Sequence, residues 1–166
     1  MGASVAVAAP AASVNAPTAP AQDASSGKRE VLSAVLEAWK AADIDAVCSH
    51  LDDDVVWHYA AGVLPPLRGA PAARVFLQKL RDDIAEVRWR IFNYAEAGDL
   101  LFVEGVDEYI AANSARAVAP YAGVLVFRGA KICEWRDYFD RGQLEKTRAG
   151  EAPPEFVEAL IARPAR

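Results

Sequence analysis

Two runs of alternating residues place acids among apolar side chains. In a strand, residues two apart share a face. Over 101–110 that rule groups Leu101, Val103, Gly105, Asp107 and Tyr109, with Phe102, Glu104, Val106, Glu108 and Ile110 on the reverse. Over 133–140 it groups Cys133, Trp135, Asp137 and Phe139 against Glu134, Arg136, Tyr138 and Asp140. Asp107 and Asp137 are thus expected on apolar faces, where a carboxylate is costly unless it is hydrogen-bonded, paired or protonated. Two carboxyl groups in one such setting tend to divide the work, one ionised as a base and one protonated as an acid. The plainer alternative is that each Asp occupies a polar face or bonds a nearby backbone amide.

Other chemistries find less support. The chain has no G-x-G-x-x-G, no P-loop and no G-x-S-x-G elbow, which removes the signatures of dinucleotide, nucleotide and triad-hydrolase sites. His50, Asp52, Asp53, Asp54 and His58 are metal-ligating types, but the acids fall at a helix-to-strand junction, where solvated acids are ordinary. The two histidines lack a recognised ligand spacing, so neither a metal nor a cofactor is expected. Trp39, Trp57, Trp89 and Trp135, with Phe76, Phe102 and Phe127, read either as core or as the wall of a pocket for an aromatic or terpenoid ligand. Arg88 and Arg90 point away from the face of Trp89 by alternation and read as a solvated or dimer-facing strand surface.

The elements that must position the two acids follow from periodicity. Val31, Leu32, Val35, Leu36 and Trp39 form one helical stripe. Asp43 caps a second, short helix carrying Ile44, Val47, Cys48 and Leu51. A strand is expected over 55–60, then a loop with Gly62, Pro65, Pro66 and Gly69. Pro71 suits the first turn of a third helix that would bury Val75, Phe76 and Leu80 and end near Asp83. Beyond it the period becomes two. Val87, Trp89 and Ile91 alternate with arginines, and strand-like runs cover 101–111, 117–128 and 131–140, with turns at Gly98-Asp99 and Arg128-Gly129. Helices followed by a meander of strands predict an α+β fold with a curved, mostly antiparallel sheet.

The chain is 166 residues with 18 Lys plus Arg and 23 Asp plus Glu, a net charge of −5. That length supports one domain, and the acidic balance gives no electrostatic footprint for nucleic acid or an anionic membrane. No run approaches the length of an apolar membrane span. Residues 1–26, rich in Ala, Pro, Ser and Val, read as a disordered leader, 27–149 as the domain, and 150–166 as a C-terminal appendage with a short helix near 156–161. The leader lacks a basic segment, and Pro10 interrupts its apolar run, which disfavours a signal peptide. Cys48 and Cys133 form no C-x-x-C, and a reduced, cytoplasmic protein is expected.

Trp135-Arg136-Asp137-Tyr138-Phe139-Asp140 resembles the W-R-D-Y-F-D run of the limonene-1,2-epoxide hydrolases, and Val106-Asp107 resembles their V-D pair on an earlier strand. Gly123-Val124, Lys131-Ile132, Asp54-Val55-Val56-Trp57 and the Pro65-Pro66 loop fit the same pattern, so the likeness covers roughly residues 28–148. It implies the NTF2-like cone, with three N-terminal helices packed on a strongly curved sheet. The same superfold holds SnoaL-like polyketide cyclases, ketosteroid isomerases and non-catalytic binding modules. The resemblance also implies a one-step, metal-free addition of water to an epoxide, with Asp137 as the base, Asp107 as the acid and an Arg between them. This sequence departs from that pattern at three places. Gly105 stands where the family has its Arg, Trp57 where it has a Tyr, and Tyr59 where it has an Asn. Altered chemistry or an altered substrate is therefore expected, with Asp137, Asp107 and Tyr59 catalytic. Trp57, Gly105, Val103, Tyr109, Trp135 and Phe139 would line the substrate pocket, the volume lost at Gly105 enlarging it. The alternatives are a SnoaL-like cyclase or isomerase that moves a proton on a ketone, and a ligand-binding module. The resemblance further implies a homodimer through the outer sheet face, with Val106, Ile110 and Val126 in the contact.

Overall fold

The computed structural model describes residues 27–165; the leader expected over 1–26 lies outside them. The three expected N-terminal helices form, each for a visible reason. Helix α1 (Lys28–Lys40) buries Leu32, Val35, Leu36 and Trp39 along one stripe. Helix α2 (Ile44–Ser49) is capped by Asp43, whose carboxylate accepts from the Ala46 N–H at 2.9 Å. Helix α3 (Ala70–Asp82) starts with Pro71 in its first turn. Its inward stripe is Ala73, Phe76, Leu77 and Leu80, spaced three and four apart. Val75, expected inside, falls about half a turn away from that stripe and is 66% exposed.

The strands are β1 (Leu51–His58), β2 (Leu67–Arg68), β3 (Ile84–Val87), β4 (Arg90–Ala97), β5 (Leu100–Ala111), β6 (Arg116–Arg128) and β7 (Lys131–Phe139). They make one sheet in the order β2-β1-β7-β6-β5-β3, with β4 continuing along the same side of β5 as β3. All pairings are antiparallel except β1 with β7. The run expected as one strand through Val87, Trp89 and Ile91 is broken between β3 and β4. Register shifts at four of the pairings add local twist, and the sheet curls around the helices as the cone requires. Its concave face and α1–α3 share the main core, which includes Leu101, Val103, Leu125, Ile132 and Trp135.

Two C-terminal helices complete the fold. Helix α4 (Arg141–Arg148) shows no apolar stripe in sequence. It is started by Asp140, which accepts from the Gln143 N–H, and anchored by buried Thr147, whose hydroxyl accepts from the Val118 N–H at 3.0 Å. Helix α5 (Glu155–Ile161) matches the helix expected in the appendage, but the segment is no loose appendage. Its Val157 and Ile161 pack on Phe92, Val106 and Val118 of the convex sheet face. Val106, expected in a dimer contact, is therefore covered by the chain's own α5.

Charge reinforces that docking. Glu108 is 3% exposed and accepts from Arg90 at 2.7 Å and Arg116 at 2.9 Å. Arg116 continues to Glu158, and Arg90 donates to the Ile161 carbonyl, both on α5. Burial pushes the Glu108 carboxyl up, but the bonds from Arg116 and Arg90 outweigh it and hold it below the ordinary value. Glu108→Ala should lower stability by about 2–4 kcal/mol, less than for a fully buried pair because the arginines are part-exposed. A drop in the urea midpoint, with faster proteolysis between α4 and α5, is the expected reading. The stabilisation from this carboxyl should be complete above the unfolded carboxylate range and fade as pH falls through it.

Gly105 has a backbone task. A Cβ there would stand 2.1 Å from the carbonyl oxygen of Arg90 and 3.0 Å from the Cα of Ile91. The main chain of β4 occupies the space a side chain would take, so Gly105 does not open the cavity. Gly105→Ala should cost about 1–3 kcal/mol by overpacking, measured by chemical denaturation; a variant as stable as wild type would contradict the close approach.

Candidate active site

The concave face and the helices enclose a cavity of about 170 Å³. Asp107, Asp137, Tyr59, Trp57, Tyr109, Trp135 and Phe139 all line it, as their alternation requires. Val103 and Gly105 do not. Val103 is packed in the core below the cavity, and the place of a Gly105 side chain is filled by the Arg90 carbonyl. No Lys, Arg or His lines the cavity among the described residues. Arg88 and Arg90 point away, as alternation indicated, and are taken up by Glu86 and Glu108.

The sheet order carries the acids across the concave face. Asp137 sits on β7 beside Gly123 of β6, and Asp107 on β5 beside Ala119 of β6. Both oxygens of Asp137 accept a side-chain hydrogen bond. Trp57 Nε1–H donates to one at 2.6 Å, and the Tyr121 hydroxyl donates to the other at 2.6 Å. Trp135 Nε1–H in turn donates to the Tyr121 oxygen at 3.2 Å. Trp57 stacks on Trp135 with centroids 5.3 Å apart, which fixes both indoles. Burial raises the Asp137 carboxyl to about 6, with Tyr121, Trp57 and Trp135 opposing the rise.

Asp107 has no such support. No hydrogen bond reaches its carboxyl among the described residues. Burial, then the charge of Asp137, raises it to about 7. Tyr121 is pushed well above the ordinary phenol value by burial and by the same charge, so it remains a donor. The two acids are therefore unequal. Asp137 is the one that ionises first, and Asp107 is the one that keeps its proton near neutrality.

Tyr59 faces the cavity and packs on Phe76 at 4.5 Å, but no hydrogen bond joins it to either aspartate. The hydroxyl that does touch Asp137 belongs to Tyr121, which sequence reasoning did not single out. Its signal is local. Gly123 lies two residues along the same face, and a Cβ there would stand 2.3 Å from the Tyr121 hydroxyl. The glycine leaves the phenol room to lie along β6 and reach Asp137. Two of the acids weighed as metal ligands have another partner: Asp52 and Asp54 pair with Arg128 at 3.2 and 2.9 Å. No group of three or more metal-ligating side chains forms among the described residues, and none of their helices is long and apolar enough to cross a membrane.

Comparison with known proteins places this geometry. No curated protein matches the chain. Among solved structures, an NTF2-like protein of unknown function from Burkholderia pseudomallei superposes with a TM-score of 0.66 at 22% identity, over 74% of this chain and 97% of that one. An LEH-like epoxide hydrolase from M. tuberculosis gives 0.64 at 23% identity, over 81% of this chain and 95% of that one. A protein named as a SnoaL-like polyketide cyclase from Shewanella denitrificans gives 0.67 at 14% identity, over 75% and 98%. At these identities the likeness is one of fold. The model of the SnoaL-like domain matches residues 32–135, more than half of the chain and including the strands of Trp57, Asp107 and Tyr121, and the chain belongs to that family.

Proposed function

We propose that this protein is an acid–base enzyme acting on a small hydrophobic substrate, and that its reaction is the addition of water to a terpenoid or aromatic epoxide. The observation that carries the reading is the inequality of two carboxyl groups in one aromatic cavity. Asp137, ionised between Trp57 and Tyr121, takes a proton from water as the water oxygen bonds to an epoxide carbon. The bond from that same carbon to the epoxide oxygen breaks, and Asp107 supplies a proton to the departing oxygen. The product is a diol, and transfer of the proton from Asp137 back to Asp107 restores the site. Tyr59 lies on the cavity wall, where its hydroxyl serves the water or the substrate. The M. tuberculosis neighbour, an LEH-like epoxide hydrolase of the same fold, supports this choice of reaction.

A second reading rests on the missing cation. With no Lys, Arg or His on the cavity wall among the described residues, the donors that face a developing oxyanion there are neutral. Proton movement on a ketone, as in a SnoaL-like cyclase or isomerase, asks for one base and neutral donors only. A pure binding module would bind such compounds without turnover. We place the protein in the cytoplasm, on the strength of two unpaired cysteines, as a homodimer without nucleic-acid or membrane partners.

A panel of terpenoid and aromatic epoxides separates these readings. Wild type should form diol, and Asp137→Asn should lower the rate by about 10²–10⁴-fold. Saturable binding of aromatic ketones without diol from any epoxide would sink the hydrolase. Because the active form has Asp137 ionised and Asp107 protonated, activity against pH should be bell-shaped, with its maximum between about 6 and about 7.

Stability gives an independent check. Asp107 is raised in the folded state, so the native protein holds a proton that the unfolded chain releases. Its contribution to stability is full below the unfolded carboxyl range and is lost as pH rises toward about 7. Asp107→Asn should flatten the fall of thermal midpoint between about pH 4 and about pH 7, whatever its effect on turnover.

A further inference from the structure

The cavity carries acids and, among the described residues, no base of its own to balance them. Two carboxyl groups line it, and no Lys, Arg or His does. Asp137 is 7% exposed, with both oxygens engaged by Trp57 and Tyr121. Asp107 differs on each count. It keeps part of its surface accessible on the concave side, and no hydrogen bond reaches its carboxyl among the described residues. A carboxylate so placed is costly until it takes a proton or meets a cation. The arginines of the neighbouring strand segment are committed to the outer face, Arg88 to Glu86 and Arg90 to Glu108. The other titratable groups on the wall are the phenols of Tyr59, Tyr109 and Tyr121, and helices α1–α4 turn apolar side chains to it. Beyond the wall stands Arg148 of α4. It opposes the rise that burial gives the Tyr109 phenol, but Asp83 takes its guanidinium at 3.3 Å. The charge that acts on Asp107 is the like charge of Asp137. A cation for Asp107 has to arrive with a ligand.

The walls say which kind. A calcium or magnesium ion asks for about six or more oxygen ligands. No group of three or more metal-ligating side chains forms among the described residues. An organic ammonium asks for less: its N–H groups bond a carboxylate, and aromatic rings attract it. Rings of Trp57, Trp89, Trp135, Tyr59, Phe76 and Phe139 line this cavity. Its volume, about 170 Å³, limits the rest of the ligand. An apolar protein cavity of about 150 Å³ holds one benzene molecule.

We infer that the cavity binds a small hydrophobic amine in its protonated form, one hydrocarbon ring with a short ammonium arm, the ammonium paired with the Asp107 carboxylate. This goes beyond the acid–base reading and does not depend on it. The two are coupled all the same. An amine so held displaces the Asp107 proton to solvent and fills the place of an epoxide, so it inhibits any turnover there.

Benzylamine and benzyl alcohol share a ring and differ in the charge of the head group. Titrated into the wild-type protein at about pH 8, and followed through the indole signals in ¹H–¹⁵N spectra, benzylamine should bind about tenfold tighter, the margin of an ionic over a neutral hydrogen bond. The Asp107 carboxyl, raised to about 7 by burial and by the charge of Asp137, must lose its proton first. Benzylamine affinity should therefore fall about tenfold from about pH 8 to about pH 6, protonation of Asp137 acting in the same direction, while that of benzyl alcohol stays within about twofold. Asp107→Asn should bring benzylamine to the affinity of benzyl alcohol and flatten the pH series; the wild-type series decides if that variant does not fold. Equal affinity of the two compounds at about pH 8 would overturn the inference. So would a wild-type affinity for benzylamine that does not change with pH, a preference kept by Asp107→Asn, or binding that leaves every indole signal unmoved. Diol formation that continues unimpeded as benzylamine is added overturns this inference alone. Benzylamine bound in the cavity, with no diol from any epoxide, overturns only the hydrolase reading.

Discussion

The carboxyl of Asp137 lies beside Trp57, Trp135 and Tyr121, in surroundings that penalise charge, and two short hydrogen bonds favour its ionised form there. Much of the inner face is arranged around those bonds. Trp57 reaches one oxygen because β1 runs parallel beside β7 and sets Trp57 next to Trp135 in register. Tyr121 reaches the other because Gly123 leaves its phenol a clear path along β6. Trp135 holds the phenol oxygen from behind and stacks on Trp57, so each donor is braced by another. Cooperative networks of this kind are most valuable where water is excluded, since every unmade bond is then expensive. No cation is needed to hold Asp137; its neutral donors suffice.

The alternation of residues made both aspartates legible before any coordinates, because a period of two is a strong signal when an acid interrupts it. The three N-terminal helices were legible for the corresponding reason at a period near 3.6. Helix α4 was not: its buried contact is a threonine hydroxyl, which leaves no apolar stripe, and only Asp140 announces its start. Val75 was misplaced because a branched apolar residue in a helix says nothing about which face is inward until the whole stripe is fixed. Tyr121 and Gly105 were missed or misread for a shared reason. What matters at each is space, a Cβ that would strike a phenol in one case and a carbonyl in the other, and space is a property of the neighbouring strand. Likewise, Val106 belongs to an intramolecular contact because a helix fifty residues further on returns to cover it.

Adjacent residues on β5 show how strongly placement governs an acid. Asp107 and Glu108 are neighbours in sequence and opposite in direction. Glu108 meets two guanidinium groups on the convex face, which overcome burial and keep it ionised. Asp107 meets aromatic rings and another carboxylate, and burial prevails, raising it to about 7. The positive charge in this part of the molecule has been committed to the outer face, where it fastens α5. Among the described residues, the cavity on the inner face is left with acids and neutral donors.

The glycine at 105 has a part in that division. With β4 drawn across Gly105, its main chain fills the position from which a long basic side chain would have entered the cavity. Between β3 and β4 stand two residues, Arg88 turned to the outer face and Trp89 lining the cavity. A site built this way offers polar neutral groups and, among the described residues, no fixed cation. For the proposed addition of water, that arrangement would place the burden of rate on Asp107, whose proton must be held until the epoxide bond begins to break.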